Sequence, residues 1–290
     1  MRTGVIGLGA MGASMAKNLA KAGYLETVYN RTLSTAESVA TECACTISMT
    51  PSDLTTQCEL IIICVSRDED VLEMVNAIKN DIDADTIVVD TSTVSSETAQ
   101  QASELLKEVN AHFLDCPVSG GTEGAKHGTL AMMVGGDEKI LEKARPTLDA
   151  IAGNIVYIGA SGFGQATKAV NQIMAAGINQ AVTEALAFGK AMNLPMDRVV
   201  DIVSTGAASN WFLEHRGKSM LAGTYAPGFK LGLHHKDLTI CQGMTKSISE
   251  NALPIIEMTL LHYQRLMDEG YADEDISALF RLKSRQLEKN

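Results

Sequence analysis

Apolar and polar positions change rhythm about midway along the chain. In the first half, short apolar and β-branched runs alternate with longer stretches whose apolar residues recur every three or four positions. The runs at 3–8, 25–30, 46–49, 59–65, 86–90, 112–116, 130–134 and 155–158 predict strands. The stretches at 71–79, 95–108 and 138–151 predict helices, as does the pattern that follows Ser14 and stops at Gly23. From residue 165 onward the alternation ceases. Helical periodicity then fills 165–192, 197–204, 211–221, 233–248, 254–269 and 276–289, punctuated at Gly206, Gly223, Pro227-Gly228 and Gly270. The expectation is an α/β N-terminal domain over 1–161, with a doubly wound parallel sheet, and an all-α domain over 162–290. A long interdomain helix would join them. With no proline before Pro195 and many Ala, Met and Leu residues, it would run about 27 residues, roughly 40 Å. Gly177 and Gly189 inside it each cost about 1 kcal/mol against Ala. That predicts close approach of another helix, a layer shared between subunits being one use. A homodimer or homotetramer is expected.

The first strand ends in Gly7-Leu8-Gly9-Ala10-Met11-Gly12. Three glycines so spaced are a weak signal alone. After a strand, opening a helix and inside a βαβ unit, they are a strong one for a Rossmann-type dinucleotide site. The first permits the turn, the second lets backbone approach a pyrophosphate, and the third lets helix and strand pack closely. The helix N-terminus adds positive potential. Where an NAD site places an acid for the ribose hydroxyl, the second strand ends in Asn30-Arg31-Thr32. A guanidinium fork beside a hydroxyl suits a 2′-phosphate, which favours NADP over NAD; a plain surface Arg is the other reading. Ligands sit outside the carboxyl ends of such strands. Three further exits therefore matter: Val65-Ser66, the run Asp90 to Thr93, and Asp115 to Thr122. In the last, Ser119-Gly120-Gly121 offers consecutive N–H groups for a carboxylate, or simply a turn. Ser95 with Thr98 downstream reads as a helix cap.

Composition narrows the partners. Net charge −11 argues against nucleic acid and anionic membrane, so phosphate would be held by backbone dipoles and a few basic side chains. No leader is expected, and the longest apolar run, 60–65, is far too short to span a bilayer. The six cysteines lack CxxC spacing and read as reduced, which suggests a cytoplasmic protein. The histidines form no ligand pattern, and no metal is expected.

After the loop Gly159 to Gly164, the long helix opens with Lys168, Asn171, Gln172, Ala175 and Asn179 on one face. Amides and an ammonium among small neighbours describe either a polar groove or a solvated face. Trp211 and Phe212 either line a substrate pocket or fill a core. Lys236-Asp237 is either an ion pair on a helix or part of a ligand site.

Four blocks together resemble the β-hydroxyacid dehydrogenase family. They are Gly7 to Gly12; Asp115-Cys-Pro-Val-Ser119-Gly120-Gly121 with Gly128-Thr129-Leu130; Gly159 through Lys168 and Asn171; and Phe229 through Lys236, Asp237 and Leu238. The resemblance implies Lys168 as general acid and base, with Asn171 holding substrate and Lys168. It further implies a substrate carboxylate on Ser119, Gly120 and Gly121, and cofactor contacts from Thr93, Phe229 and Lys236. Gln172, Trp211 and Asp237 are further candidates on the substrate side. Two departures stand out: Gln172 where the family often has Asn, which bears on substrate size, and Ser96 where it often has Pro. The Asn30-Arg31-Thr32 loop resembles the glyoxylate/succinic semialdehyde reductase branch. The expected activity is NADP-dependent interconversion of a short carboxylate-bearing aldehyde and its hydroxy acid. Burial and a nearby Lys236 would favour neutral Lys168 in the oxidation direction. The alternatives are an NAD-dependent 3-hydroxyisobutyrate dehydrogenase, a 6-phosphogluconate dehydrogenase, an imine reductase, and a non-catalytic NADP-binding scaffold.

Overall fold

The computed structural model describes residues 1–287; the last positions of the expected terminal helix, 288 and 289, lie outside the described residues. The chain divides into two compact units, one from Met1 to Lys168 and one from Ala169 onward.

In chain order the first unit runs β1 (Thr3–Ile6), α1 (Ala10–Lys21), β2 (Leu25–Tyr29), α2 (Leu33–Cys43), β3 (Thr46–Ile47) and α3 (Ser52–Thr55). It continues with β4 (Leu60–Ile63), α4 (Asp68–Lys79), β5 (Ile87–Asp90), α5 (Ser96–Lys107), β6 (His112–Asp115) and β7 (Val118–Ser119). Then come α6 (Gly121–His127), β8 (Leu130–Gly135), α7 (Glu138–Leu148) and β9 (Ala152–Gly159). Among the described residues the strands form one sheet in the order β3-β2-β1-β4-β5-β6-β8-β7, with β9 on β8. Pairing is parallel from β3 to β6 and again between β8 and β9. β8 runs antiparallel to both β6 and β7. The sheet is therefore mostly parallel, not wholly so as expected. The chain reaches β8 through short β7 and α6 with no full crossover helix, so β8 returns in the opposite sense.

The apolar runs are continuous because the central strands are buried on both faces. Leu60 and Ile62 of β4 join Met15, Leu19 and Leu141 in one core, while Ile61 and Ile63 join Val75, Ile78 and Leu106 in the other. α4 begins at Asp68, earlier than its apolar pattern indicates, because Asp68, Glu69 and Asp70 fill a first turn that favours acids. The Ser/Thr-rich α2, with only Ala36, Val39 and Ala40 buried, escaped the apolar pattern altogether. Ser95 caps α5 by accepting from the Thr98 N–H, as its sequence suggested.

α8 (Phe163–Ala191, 29 residues) starts in the first unit and continues as the first helix of the second. After it come α9 (Met196–Val203), α10 (Trp211–Leu221), α11 (Leu231–Ile248), α12 (Pro254–Asp268), a 3-10 turn (Ile276–Ala278) and α13 (Leu279–Leu287). Val182, Leu186, Leu213, Leu238, Tyr263 and Phe280 belong to their shared core. Buried Asp275 ties this unit together. It accepts from Arg216 Nε and Nη2 at 2.7 and 3.0 Å and from the N–H groups of Gly228 and Phe229, both at 3.0 Å. Burial pushes its carboxyl up, but the Arg216 and backbone hydrogen bonds outweigh this and hold it below the usual range.

Two sequence features of this unit take definite form. A Cβ on Gly177 would meet only Ile255 Cγ2, at an ordinary 3.8 Å, and one on Gly189 would meet the Met196 side chain. The Gly189 contact is a close one, with Met196 Sδ of α9 at 2.9 Å from the added Cβ. Phe212 is core, but Trp211 is not: it is 60% exposed, stacks on His215 and carries the Arg216 guanidinium over its ring. No helix among the described residues is long and apolar enough to cross a membrane.

Candidate active site

The turn between β1 and α1 lies where the strand order reverses, between β1 and β4, the usual position for a ligand on such a sheet. Gly7 has φ +91°, and a Cβ there would sit 2.3 Å from the Cys64 carbonyl oxygen. One on Gly12 would sit 2.0 Å from the Gly7 carbonyl oxygen. Both clashes are with backbone, which cannot swing aside. Gly9, the N-cap of α1, differs: a Cβ there meets nothing within 4 Å. Open space thus lies over Gly9, beside exposed Ala10, while Met11 is half-buried against the core; the first turn of α1 holds no acid to offset its dipole. These residues fit the pyrophosphate of a dinucleotide.

Asn30, just after β2, accepts from the Leu8 N–H at 2.9 Å and donates to the Thr32 carbonyl at 3.1 Å. Its amide braces the glycine turn. Arg31 is 78% exposed at its side chain and lies 3.5 Å from Asp70. Thr32 is the N-cap of α2, and its hydroxyl makes no capping hydrogen bond.

The exits of β4 and β5 are tied together. The Val65 N–H donates to Ser92 Oγ at 2.9 Å, and the Ser92 N–H donates to Asp90 Oδ1 at 2.9 Å. Ser66 is exposed beside them, and Thr93 is half-buried. Gln165, buried at the start of α8, accepts from the Val94 N–H at 3.2 Å and donates to the Ser92 carbonyl at 2.9 Å. It therefore grips the backbone on both sides of Thr93. Sequence reading missed Gln165, and it placed Ser92 only within the strand exit. An uncharged polar residue at a helix start is too common to stand out until its buried partners are known.

Asp115, at the end of β6, is fully buried and accepts from the N–H groups of Gly162 and Gln165 at 2.8 and 3.0 Å. Burial pushes its carboxyl up to about 6, and that of neighbouring Asp90 up to about 7. Asp90 Oδ2 has no hydrogen-bond partner among the described residues. A Cβ on Gly164 would lie 2.5 and 2.6 Å from the carbonyl oxygens of Asp115 and Met133, so only glycine fits between them. From this start the helix carries Lys168 inward. Its side chain is buried and donates to the Val118 carbonyl at 2.9 Å. The next residues are Ser119, Gly120 and Gly121, the last two with φ +129° and +62° and both exposed. The first unit thus brings Lys168 to the chain segment expected to hold a carboxylate.

In the second unit, the Asn171 amide donates to Gln172 Oε1 at 2.8 Å, and Gln172 Nε2 donates to Asp237 Oδ2 at 2.6 Å. Asp237 Oδ1 pairs with Lys236 at 2.9 Å. Lys236 and Asp237 are thus an ion pair on α11. Both ends of the buried Gln172 amide are engaged inside the protein, which makes it a brace for Asn171 and Asp237. His234 bridges Tyr263 and the Gln172 carbonyl, and the Phe229 ring lies against it at 5.2 Å. Asn179, expected on a polar groove, is instead core. It donates to the Tyr263 hydroxyl and the Ile276 carbonyl, both at 2.8 Å.

Comparison with known proteins agrees over the whole length. Residues 2–159 match the family model of the NAD binding domain of 6-phosphogluconate dehydrogenase. Residues 162–283 match that of the NAD-binding region of NADP-dependent 3-hydroxyisobutyrate dehydrogenase. The chain is 35% identical to the 2-hydroxy-3-oxopropionate reductase of Escherichia coli, over 87% of this chain and 86% of that one. It is 32% identical to an NAD-dependent L-serine dehydrogenase of Pseudomonas aeruginosa, over 96% of each. Among solved structures it resembles Mycobacterium tuberculosis 3-hydroxyisobutyrate dehydrogenase with L-serine, at TM-score 0.89, 28% identity, and 97% and 98% coverage.

Proposed function

The chain belongs to the β-hydroxyacid dehydrogenase family of NAD(P)-dependent oxidoreductases, and from that premise we propose that it is an NADP-dependent enzyme interconverting a short carboxylate-bearing aldehyde, such as glyoxylate or a semialdehyde, and its hydroxy acid. The observation that carries this reading is buried Lys168 on the Val118 carbonyl, one residue from Ser119. An amine fixed there can hydrogen-bond a substrate oxygen and donate its proton as negative charge develops. In the oxidation direction the neutral amine takes that proton back. The N–H groups of Ser119, Gly120 and Gly121 hold the carboxylate, and Asn171, one turn beyond Lys168, orients the carbonyl. A bound nicotinamide would supply or accept the hydride. Glycines 7, 9 and 12 would seat its pyrophosphate, and Thr93 lies at the strand exit that Gln165 fixes.

The choice of NADP rests on Arg31, exposed and beside Thr32, with no acid at the end of β2. Replacing Arg31 with Ala is expected to raise KM for NADPH about tenfold or more while leaving KM for NADH nearly unchanged. Equal changes for both cofactors would remove the basis for that choice.

The test of function is loss of 340-nm absorbance with NADPH and NADH against glyoxylate, succinic semialdehyde and 2-hydroxy-3-oxopropionate, with L-serine oxidation run in reverse. Lys168→Ala is expected to lower kcat by about 10²- to 10⁴-fold while NADPH still binds. A variant that turns over at the wild-type rate would remove Lys168 from the chemistry.

A further inference from the structure

We infer that Asp115 is a positioning residue for Lys168: its carboxylate, gripping the first turn of α8, sets where the amine stands. The inference rests on the proposed role of Lys168. It starts from a coincidence of anchor points. Asp115 and Val118 stand three residues apart on one strand exit. The Asp115 carboxylate takes two N–H groups of the helix start, from Gly162 and Gln165. The Val118 carbonyl takes the Lys168 amine from the same helix, one turn further on. One short segment thus holds the helix both by its backbone and by the side chain in question. Sliding or rotating the helix would therefore strain the carboxylate bonds and shift the amine together.

Three further features tighten the first anchor. Helix N-termini carry free N–H groups that need acceptors, and α8 finds its acceptor on a distant strand. Gly164 brings the helix backbone against the Asp115 and Met133 carbonyls with no room for a side chain. Ser96 Oγ donates to the Gly162 carbonyl at 2.8 Å, and Gln165 ties the same turn to Ser92 and Val94.

Asp115→Asn keeps size and shape but turns an amide N–H₂ toward one of the two helix N–H groups, setting donor against donor. A loosened helix start would displace the amine, and displacement of a reacting group by about 1 Å costs on the order of 100-fold in rate. Two readouts test this on the full-length protein. The first is brief acetylation with acetic anhydride, followed at Lys168 by peptide mass spectrometry. The second is kcat and KM for Asp115→Asn, Lys168→Ala and the double variant. The expected result is Lys168 acetylated several-fold faster in Asp115→Asn, kcat lowered by about 100-fold with KM for NADPH unchanged, and no further loss when Asp115→Asn is added to Lys168→Ala. Acetylation at the wild-type rate, or losses that multiply in the double variant, overturns the inference. If Lys168→Ala alone keeps full activity, the functional reading of Lys168 fails. Acetylation then still decides whether Asp115 places the amine. Should Asp115→Asn not fold, Ser96→Ala loosens the same turn from the Gly162 carbonyl, and a smaller change of the same sign is expected.

Discussion

Two glycines of the β1–α1 turn face backbone, and the third faces open space. That difference separates folding from binding at single residues. Gly12→Ala would drive a methyl against the Gly7 carbonyl oxygen, so loss of stability is expected, read as a lowered Tm. Gly9→Ala meets no protein atom within 4 Å. Its stability should stay within about 0.5 kcal/mol of wild type, while NADPH affinity, followed by fluorescence quenching, falls. Equal loss of Tm in both variants would contradict the assignment of that space to a ligand. The glycine spacing was legible in the sequence because the strand-turn-helix pattern around it is local, although the carbonyl that excludes a side chain from Gly7 belongs to distant Cys64. Gln165 was not legible, since its side-chain partners lie 71 and 73 residues earlier in the chain.

Among elements, strands were clearest where both faces are buried, as in β4 and β5, because a short, continuous run of β-branched residues suits a doubly covered strand better than a helix. The antiparallel turn-back through β7 and α6 left no such mark; two glycines looked like a binding loop and concealed a short helix. Asp275 illustrates the same limit in the second unit. It joins α10, the segment before α11 and the 3-10 turn, yet in sequence it is one acid among 35 Asp and Glu residues. Removing one partner of a buried ion pair leaves the other uncompensated. Asp275→Ala is therefore expected to cost about 3–5 kcal/mol, measured by urea denaturation, with Arg216→Ala causing a similar loss. A change below about 1 kcal/mol would show that Arg216 finds another partner or water.

The stability of the whole molecule should carry the signature of Asp90. Burial raises its carboxyl to about 7, so between the ordinary aspartate value and pH 7 the folded chain binds a proton that the unfolded chain releases. Stability on this account falls as pH rises through that window and levels off above it. Asp115, raised to about 6, adds a slope of the same sign. Asp90→Asn, neutral throughout, is expected to raise Tm at pH 8 and to flatten the dependence of Tm between pH 5 and 7. An unchanged slope would show that Asp90 ionises in the native protein as readily as in the unfolded chain. Such a cost can be tolerated because the three cores supply most of the favourable burial.

The seat of Gly164 between two carbonyl oxygens has a consequence for descent. A helix start that admits no side chain, on a strand exit that also holds Lys168, leaves little for mutation to explore. New substrate preferences in this lineage would then arise by changing what surrounds that junction, and the junction itself would pass from ancestor to descendant as a single inherited piece.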